Sequence, residues 1–343
     1  MLLSDFEYEL PEELIAQEPL PNREDSRMLA VDRALGSFSD LRFRSFPEFI
    51  REGDVVVLNN TKVFPARLIG NTDTGATVEL FLTEQIGERI WEALARPAKR
   101  LKPGKVVRFG DVLTAEVKDG PNRGRVLAEF SYEGDFFGTL DQVGKTPLPP
   151  YIKRDEGTPS EDRSRYQTVY ARETGAIAAP TAGFHFTPEI LEKVRDRGAE
   201  TVEITLHVGY GTFEPVREED LSKHSVQPER FEIRDSESER LNKARQDGQR
   251  IVAIGTTTTR ALEACISKFG SFVPGKQIAD LTIVPGYRFR AIDALLTNFH
   301  LPCSSLLVLV STFGGHELIM RAYNHAVAEK YRFYSYGDCM FLS

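Results

Sequence analysis

The amino-acid order predicts an α/β domain interrupted by a small antiparallel β-barrel. Three observations carry that expectation. Residues 64–132 fall into short runs rich in β-branched and aromatic residues, divided by turn signals and showing no helical period. After Pro188 helical and strand patterns alternate, as they do in layered α/β units. The segment DVVVLNN at 54–60 is too apolar on both faces to stand alone, so it should join the sheet of the second block.

On this reading the α/β domain comprises residues 1–62 and 148–343, and the inserted barrel domain spans 63–147. Six barrel strands are expected in FPARLIG, ATVELFLT, RIWEALA, KVVRFG, VLTAEVK and RVLAEFSY, with NTDTG, KPG and KDGPNRG as turns. Residues 134–150, GDFFGTLDQVGKTPLPP, break that rhythm and read as an exit linker. EILEKVRDRG then has apolar residues at helical spacing and stops at Gly198, and ETVEITLHV follows as a strand. SESERLNKARQDG is a second helix, with a capping box from Ser236 to Glu239 and a stop at Gly248. RIVAIG is a buried strand, TRALEACISKFG a further helix, and helical segments recur from about residue 304 to 329.

Composition narrows the class. With 343 residues, 41% hydrophobic and 27% charged, and a formal charge of −8, the chain is a folded acidic globule and not a disordered one. The longest apolar run, LLVLV at 306–310, is far too short to span a bilayer, and the opening MLLSDFEYELPEE lacks a basic leader and an apolar secretory core. We therefore expect a cytoplasmic monomer with no membrane partner. Cys265, Cys303 and Cys339 form no CxxC pair, and none of the six histidines has HxH or HExxH spacing, so neither a disulfide framework nor a metal site is expected.

Common motifs are absent. GKT at 144–146 fails as a phosphate loop, because Gly138 is one residue too far upstream and Pro147 follows. LHVGYGTFE has Glu214 where a dinucleotide fingerprint needs its third glycine, and GxSxG does not occur.

Four other segments can carry chemistry. In GAIAAPTAGFHF, 175–186, the small side chains before Phe184 let backbone amides approach a ligand, and Thr181, Gly183 and Phe184 are candidate contacts. A tight packing seam would look the same. Imidazoles move protons at neutral pH, and His185, His207 and His300 all lie beside expected strand ends or loops. His207 brings Gly209, Gly211 and Thr212 as neighbours, and His300 brings Asn298. In IVAIGTTTTRALEAC, 251–265, a buried strand turns through glycine into hydroxyls and a helix, which aims free amides at a ligand. Thr256, Thr257 and Arg260 are the candidates there for an anion or a ribose, against a simple threonine-rich cap. RYQTVYA, 165–171, offers Tyr166, Gln167 and Thr168 to the edge of a heterocycle, or else a packed strand.

The charge is uneven. Residues 93–110 hold Arg96, Lys99, Arg100, Lys102, Lys105 and Arg108 with no acid. A cationic ridge on an acidic body points to a polyanion, most naturally RNA phosphates, although a solvated strand face also carries such residues.

In order and spacing these segments resemble the S-adenosylmethionine:tRNA ribosyltransferase-isomerases of queuosine biosynthesis. The similarity runs from DFEYELPEELIAQEPLPNREDSRML to YRFYSYGDCMFL through LPPYIKR, RYQTVYA, AAPTAGFHFT, LHVGYGTFEPV, VAIGTTTTRALE and LTNFHLPCSSLLVLVSTFGG. The resemblance implies an α/β domain interrupted by a barrel and a reaction in which S-adenosylmethionine, as co-substrate, donates its ribosyl unit. The acceptor would be an aminomethyl-deazaguanine at the tRNA wobble position, giving epoxyqueuosine with release of adenine and methionine and no metal or redox cofactor. A base is needed beside the sulfonium, and His185 is the first candidate, His300 the second. The chain departs from the family pattern at Glu214, where arginine is usual, and at Cys303, where lysine is usual. It also departs in SVQPE at 225–229, which replaces a methionine-histidine pair, and in GTTTTR, where a serine-valine pair is replaced. A methyltransferase using the same donor and a non-catalytic RNA-binding protein are the competing readings.

Overall fold

The computed structural model describes residues 1–154, 160–209, 211 and 216–343. The chain enters through β1 (Arg27–Asp32), β2 (Ser37–Arg42), β3 (Val55–Asn59) and the short β4 (Thr61–Val63). Next come β5 (Arg67–Thr72), β6 (Thr77–Gln85), β7 (Ile90–Arg96), β8 (Val106–Phe109), β9 (Leu113–Asn122) and β10 (Arg125–Tyr132). Helix α1 (Phe136–Val143) and the two-residue β11 (Gly144–Lys145) follow. The return passes through α2 (Ser160–Arg165), β12 (Glu173–Ala176), α3 (Pro188–Asp196), β13 (Glu200–Leu206) and β14 (Glu229–Ile233). It continues with α4 (Asp235–Gln246), β15 (Ile251–Ile254), α5 (Thr256–Phe269), β16 (Gly275–Ala279) and β17 (Ala294–Asn298). Helices α6 (Ser305–Gly314) and α7 (His316–Ala328) and strand β18 (Cys339–Leu342) complete it.

A nine-stranded mixed sheet, in the order β16-β14-β13-β3-β15-β17-β18-β1-β2, organises the large domain. The apolar segment DVVVLNN supplies β3, paired in parallel with β13 on one side and β15 on the other. Its alternate residues serve opposite faces. Val55 and Val57 belong to one apolar core, Val56 and Leu58 to a second, which is why the segment reads as apolar throughout.

The six expected barrel strands all form. They pair antiparallel in the order β5-β6-β7-β10-β9-β8, and β8 closes back on β5 through Asn71 opposite Arg108 and Thr72 opposite Val107. Along the paired stretches buried residues alternate with half-buried or exposed ones, with Leu68, Leu80, Ala93, Ala115 and Phe130 among those filling the interior. Closure needs Gly70, because a Cβ there would lie 2.5 Å from the Arg108 carbonyl oxygen.

Two local expectations differ. The segment read as an exit linker contains α1, capped by Asp135, whose Oδ2 accepts from Gly138 N–H at 2.6 Å. Phe136 and Leu140 of that helix pack into the barrel core, so the aromatic pair FF that seemed out of rhythm is a plug. The capping box at Ser236 does not form, since α4 already starts at Asp235 with Arg234 at the N-cap and no side-chain cap.

Candidate active site

Strands β13, β3, β15 and β17 run parallel and side by side, and the loops leaving the carboxyl ends of β13, β15 and β17 meet in one cavity of about 530 Å³. This is the place where open α/β sheets take ligands. Among the described residues the walls come from segments distant in sequence: Ala178–Ala182, Val208 with Gly209 and Gly211, Val226–Glu229, Gly255–Thr257 with Arg260, Thr282 and Ile283, and Thr297–Leu306. Tyr151, Tyr166, Tyr334 and Ser335 complete it. The volume suits a ligand of cofactor size.

Of the site residues expected from the sequence, the cavity gathers Tyr166, Thr181, Gly209, Gly211, Thr256, Thr257, Arg260, Asn298 and His300. Helix α5 points its N-terminus inward. Gly255, at φ +93°, turns the chain out of β15, and no side chain caps the helix. Thr258 and Thr259 bond back to the carbonyls of Ile254 and Gly255, whereas Thr257 Oγ1 is buried without a partner among the described residues. Uncapped amides and a free hydroxyl suit an anionic group.

His300 is set on the wall by its backbone, whose N–H donates to Tyr323 Oη at 3.1 Å while its carbonyl accepts from Tyr8 Oη at 2.5 Å. Its Nε2 lies 2.8 Å from Thr297 Oγ1, and no described residue engages Nδ1. Burial pushes its pKa from 6.5 down to about 3, so the ring is neutral at ordinary pH.

His185 is placed differently from the expectation that it is the first base. It lies behind the cavity wall, 3% exposed, with Nδ1 2.6 Å from Ser26 Oγ and Nε2 3.2 Å from Asn298 Nδ2. Both nitrogens are engaged and the ring does not line the cavity, so it has no free lone pair to offer a substrate there. Burial, helped by Arg23 and Arg332, lowers its pKa to about 3.

Arg260, expected to meet an anion, lines the cavity with its guanidinium already engaged by the protein. It is 8% exposed, pairs with Glu229 at 2.6 Å, and donates to the carbonyls of Gln227, Ala279 and Leu281. Glu229 in turn accepts from Gly209 N–H at 3.2 Å. The pair builds a wall, and the departure SVQPE supplies its acid.

Other expected contacts lie outside the cavity lining. Gln167 clamps β4, its Oε1 accepting from Val63 N–H and its Nε2 donating to the Val63 carbonyl. A Cβ on Gly183 would lie 2.1 Å from Tyr170 Oη and 2.7 Å from Thr168 Cγ2, so the glycine and Thr168 form a packing seam outside the cavity. Phe184 packs edge-on against Tyr166, and His207 is held under Gly175 with Nδ1 2.8 Å from Thr61 Oγ1. Thr212 and Glu214 lie outside the described residues.

Sequence reasoning assigned no role to Tyr151, Tyr334 or Cys303. The Tyr151 and Tyr334 rings approach to 3.9 Å between centroids, and Tyr151 Oη is 2.5 Å from Ser335 Oγ. Tyr334 and Cys303 hold positive φ, +72° and +52°, and both line the cavity. Backbone strain of this kind collects at functional sites. Burial and the neighbouring Glu7 push the Cys303 thiol up to about 12, so this position, where a lysine was the expected residue, is uncharged. The blocks LPPYIKR and YRFYSYGD were the available signal for the two tyrosines.

The six basic residues sit on the barrel. Arg96 ends β7, Lys99 and Arg100 lie in the turn after it, Lys102 and Lys105 lead into β8, and Arg108 is on β8. All but Lys105 are exposed, and among the described residues Lys105 alone is in an ion pair, 3.3 Å from Asp73.

Comparison with known proteins places this architecture. The family model described as queuosine biosynthesis protein matches residues 3–342. The chain is 48% identical over its full length, and over 99% of the relative, to the S-adenosylmethionine:tRNA ribosyltransferase-isomerase of Natranaerobius thermophilus. It is also 48% identical to the Syntrophotalea carbinolica protein of that name, with both chains fully covered. A solved structure of the S-adenosylmethionine tRNA ribosyltransferase of Thermotoga maritima aligns with a TM-score of 0.56 at 34% identity, covering 99% of this chain and 100% of that one. With the barrel, the mixed sheet and full-length matches in agreement, the chain belongs to the queuosine biosynthesis protein family and is an enzyme of the ribosyltransferase-isomerase type.

Proposed function

We propose that this enzyme transfers and isomerises the ribosyl unit of S-adenosylmethionine onto an aminomethyl-deazaguanine at the wobble position of tRNA, releasing adenine and methionine and leaving epoxyqueuosine. The observation that supports it most is the convergence of the family-like blocks AAPTAGFHFT, LHVGYGTFEPV, VAIGTTTTRALE and LTNFHLPCSS on one cavity, where the wall carries a neutral histidine whose Nδ1 no described residue engages. The donor's sulfonium acidifies the adjacent ribose 5′ carbon. His300, through Nδ1, is the group we assign to take that proton, after which the bond to adenine breaks and the acceptor nitrogen can bond to the sugar. Breaking the carbon–sulfur bond then frees methionine. The α5 N-terminus with Thr257 suits the donor carboxylate, and the faces of Tyr151 and Tyr334 suit a planar base. The exposed ridge from Arg96 to Arg108 is assigned to phosphates of the tRNA.

The test is product analysis. With tRNA bearing the acceptor base, free adenine should accumulate with turnover, and S-adenosylhomocysteine should not. The reverse outcome makes the protein a methyltransferase. Retention of RNA with no consumption of the donor makes it a binding protein.

A further inference from the structure

Ser26 and His185 behind the cavity wall, with Asn298 and Thr181 on it, form a line of polar groups whose hydrogen-bond direction is fixed at both ends. At one end Ser26 Oγ lies 2.8 Å from the Arg23 carbonyl oxygen. A carbonyl only accepts, so the serine proton points to it and the serine oxygen must accept from His185 Nδ1–H, 2.6 Å away. At the other end Asn298 Nδ2 donates to the Asp338 carbonyl at 3.3 Å, which sets the amide with its nitrogen toward His185 and its oxygen toward Thr181. The amide's second proton then meets His185 Nε2 at 3.2 Å. The two ends agree on one tautomer, the Nδ1–H form, and reversing either would set donor against donor or oxygen against oxygen. The depression of the His185 pKa to about 3 keeps the ring neutral, so the line does not change with ordinary pH.

The consequence falls on Thr181, which lines the cavity. Its hydroxyl donates to Asn298 Oδ1 at 2.9 Å, and a hydroxyl has one proton. We infer that Thr181 faces the cavity purely as a hydrogen-bond acceptor and selects a hydroxyl of the donor's ribose, with His185 and Asn298 as positioning residues that fix this polarity. A hydroxyl fits better than an ammonium, because the neighbours Ala178, Ala179, Pro180 and Ala182 carry no charge, and among the described residues the carboxylate on the cavity wall, Glu229, is already bonded to Arg260 and Gly209. This inference rests on the proposed donor.

Two measurements test it. Nitrogen-15 NMR of histidine-labelled protein without substrate should show His185 as the neutral Nδ1–H tautomer from about pH 5 to 8. The Nε2–H tautomer or an imidazolium would overturn the direction of the line, whatever the donor is. Calorimetry should then compare S-adenosylmethionine with its 2′-deoxy and 3′-deoxy analogues on the wild type, Thr181→Val and Thr181→Ser. The wild type should bind one of the two analogues about tenfold more weakly than the parent, Thr181→Ser should keep that discrimination, and Thr181→Val should lose it. Equal discrimination by Thr181→Val, or none by the wild type, would overturn the assignment of the hydroxyl. Failure of the wild type to bind S-adenosylmethionine at all would overturn the donor reading, and this assignment with it, while leaving the tautomer result standing.

Discussion

Three arginines of the α/β domain and five basic residues on one ridge of the barrel put positive charge to opposite uses. In the α/β domain the half-buried Arg250 and Arg154 and the buried Arg260 pair with the buried acids Asp54, Asp162 and Glu229 at 2.5, 2.7 and 2.6 Å. On the barrel Arg96, Lys99, Arg100, Lys102 and Arg108 stand in solvent. A shielded cation with an acid beside it holds the fold, and at Arg260 a cavity wall, whereas an exposed one without an acid can meet a partner. Changes in the α/β domain should therefore alter turnover or folding, and changes on the barrel should alter RNA affinity alone.

The sharpest division comes from His300. If it is the base, His300→Ala should lower turnover by about 10²- to 10⁴-fold in single-turnover assays while donor binding holds. Wild-type turnover would remove it from the mechanism. Next in size is Arg260→Met, which leaves Glu229 buried without its guanidinium and should lower unfolding stability by about 3–5 kcal/mol in denaturant titration. Adding Glu229→Gln should restore part of the loss, and no loss in the single variant would show that the pair does not hold the wall.

On the barrel the expected effect is smaller and of another kind. Lys99→Glu, Arg100→Glu and Lys102→Glu together should weaken tRNA binding and flatten its dependence on salt by roughly 0.7 to 0.9 in log–log slope for each phosphate that is no longer neutralised. An unchanged salt series would take RNA off this ridge. The last effect concerns pH. His185 and His300, each depressed from 6.5 to about 3, bind fewer protons folded than unfolded between those values, so stability rises with pH there and is lost as pH falls from about 6.5. Each adds a slope of at most about 1.4 kcal/mol per pH unit. His185→Phe should remove close to one proton from the uptake on unfolding between about pH 4 and 6, and an unchanged uptake would mean that His185 titrates normally in the folded protein.

The comparison also explains what was legible in the sequence. Barrel strands are local, with period-two patterns and turn residues in reach of each other, so all six were readable; α1 was not, because eight residues with Phe136 and Phe137 at their head give too short a helical signal. The strand–glycine–helix run at Gly255 was equally plain. Arg260 was misread because its partner, Glu229, is 31 residues away and joins it only through the tertiary fold. His185 and His300 look alike in sequence, each followed by a large apolar residue, and only the positions of Ser26 and Asn298 distinguish the engaged ring from the one open to the cavity.

The central claim is that a sugar moves, and isotopic mass measurement of the anticodon tests it directly. Acceptor-bearing tRNA incubated with donor carrying carbon-13 throughout its ribose should yield, after digestion, a wobble nucleoside that contains all five labelled carbons. A wobble nucleoside without the label, or one enlarged only by an unlabelled methyl group, would contradict the account.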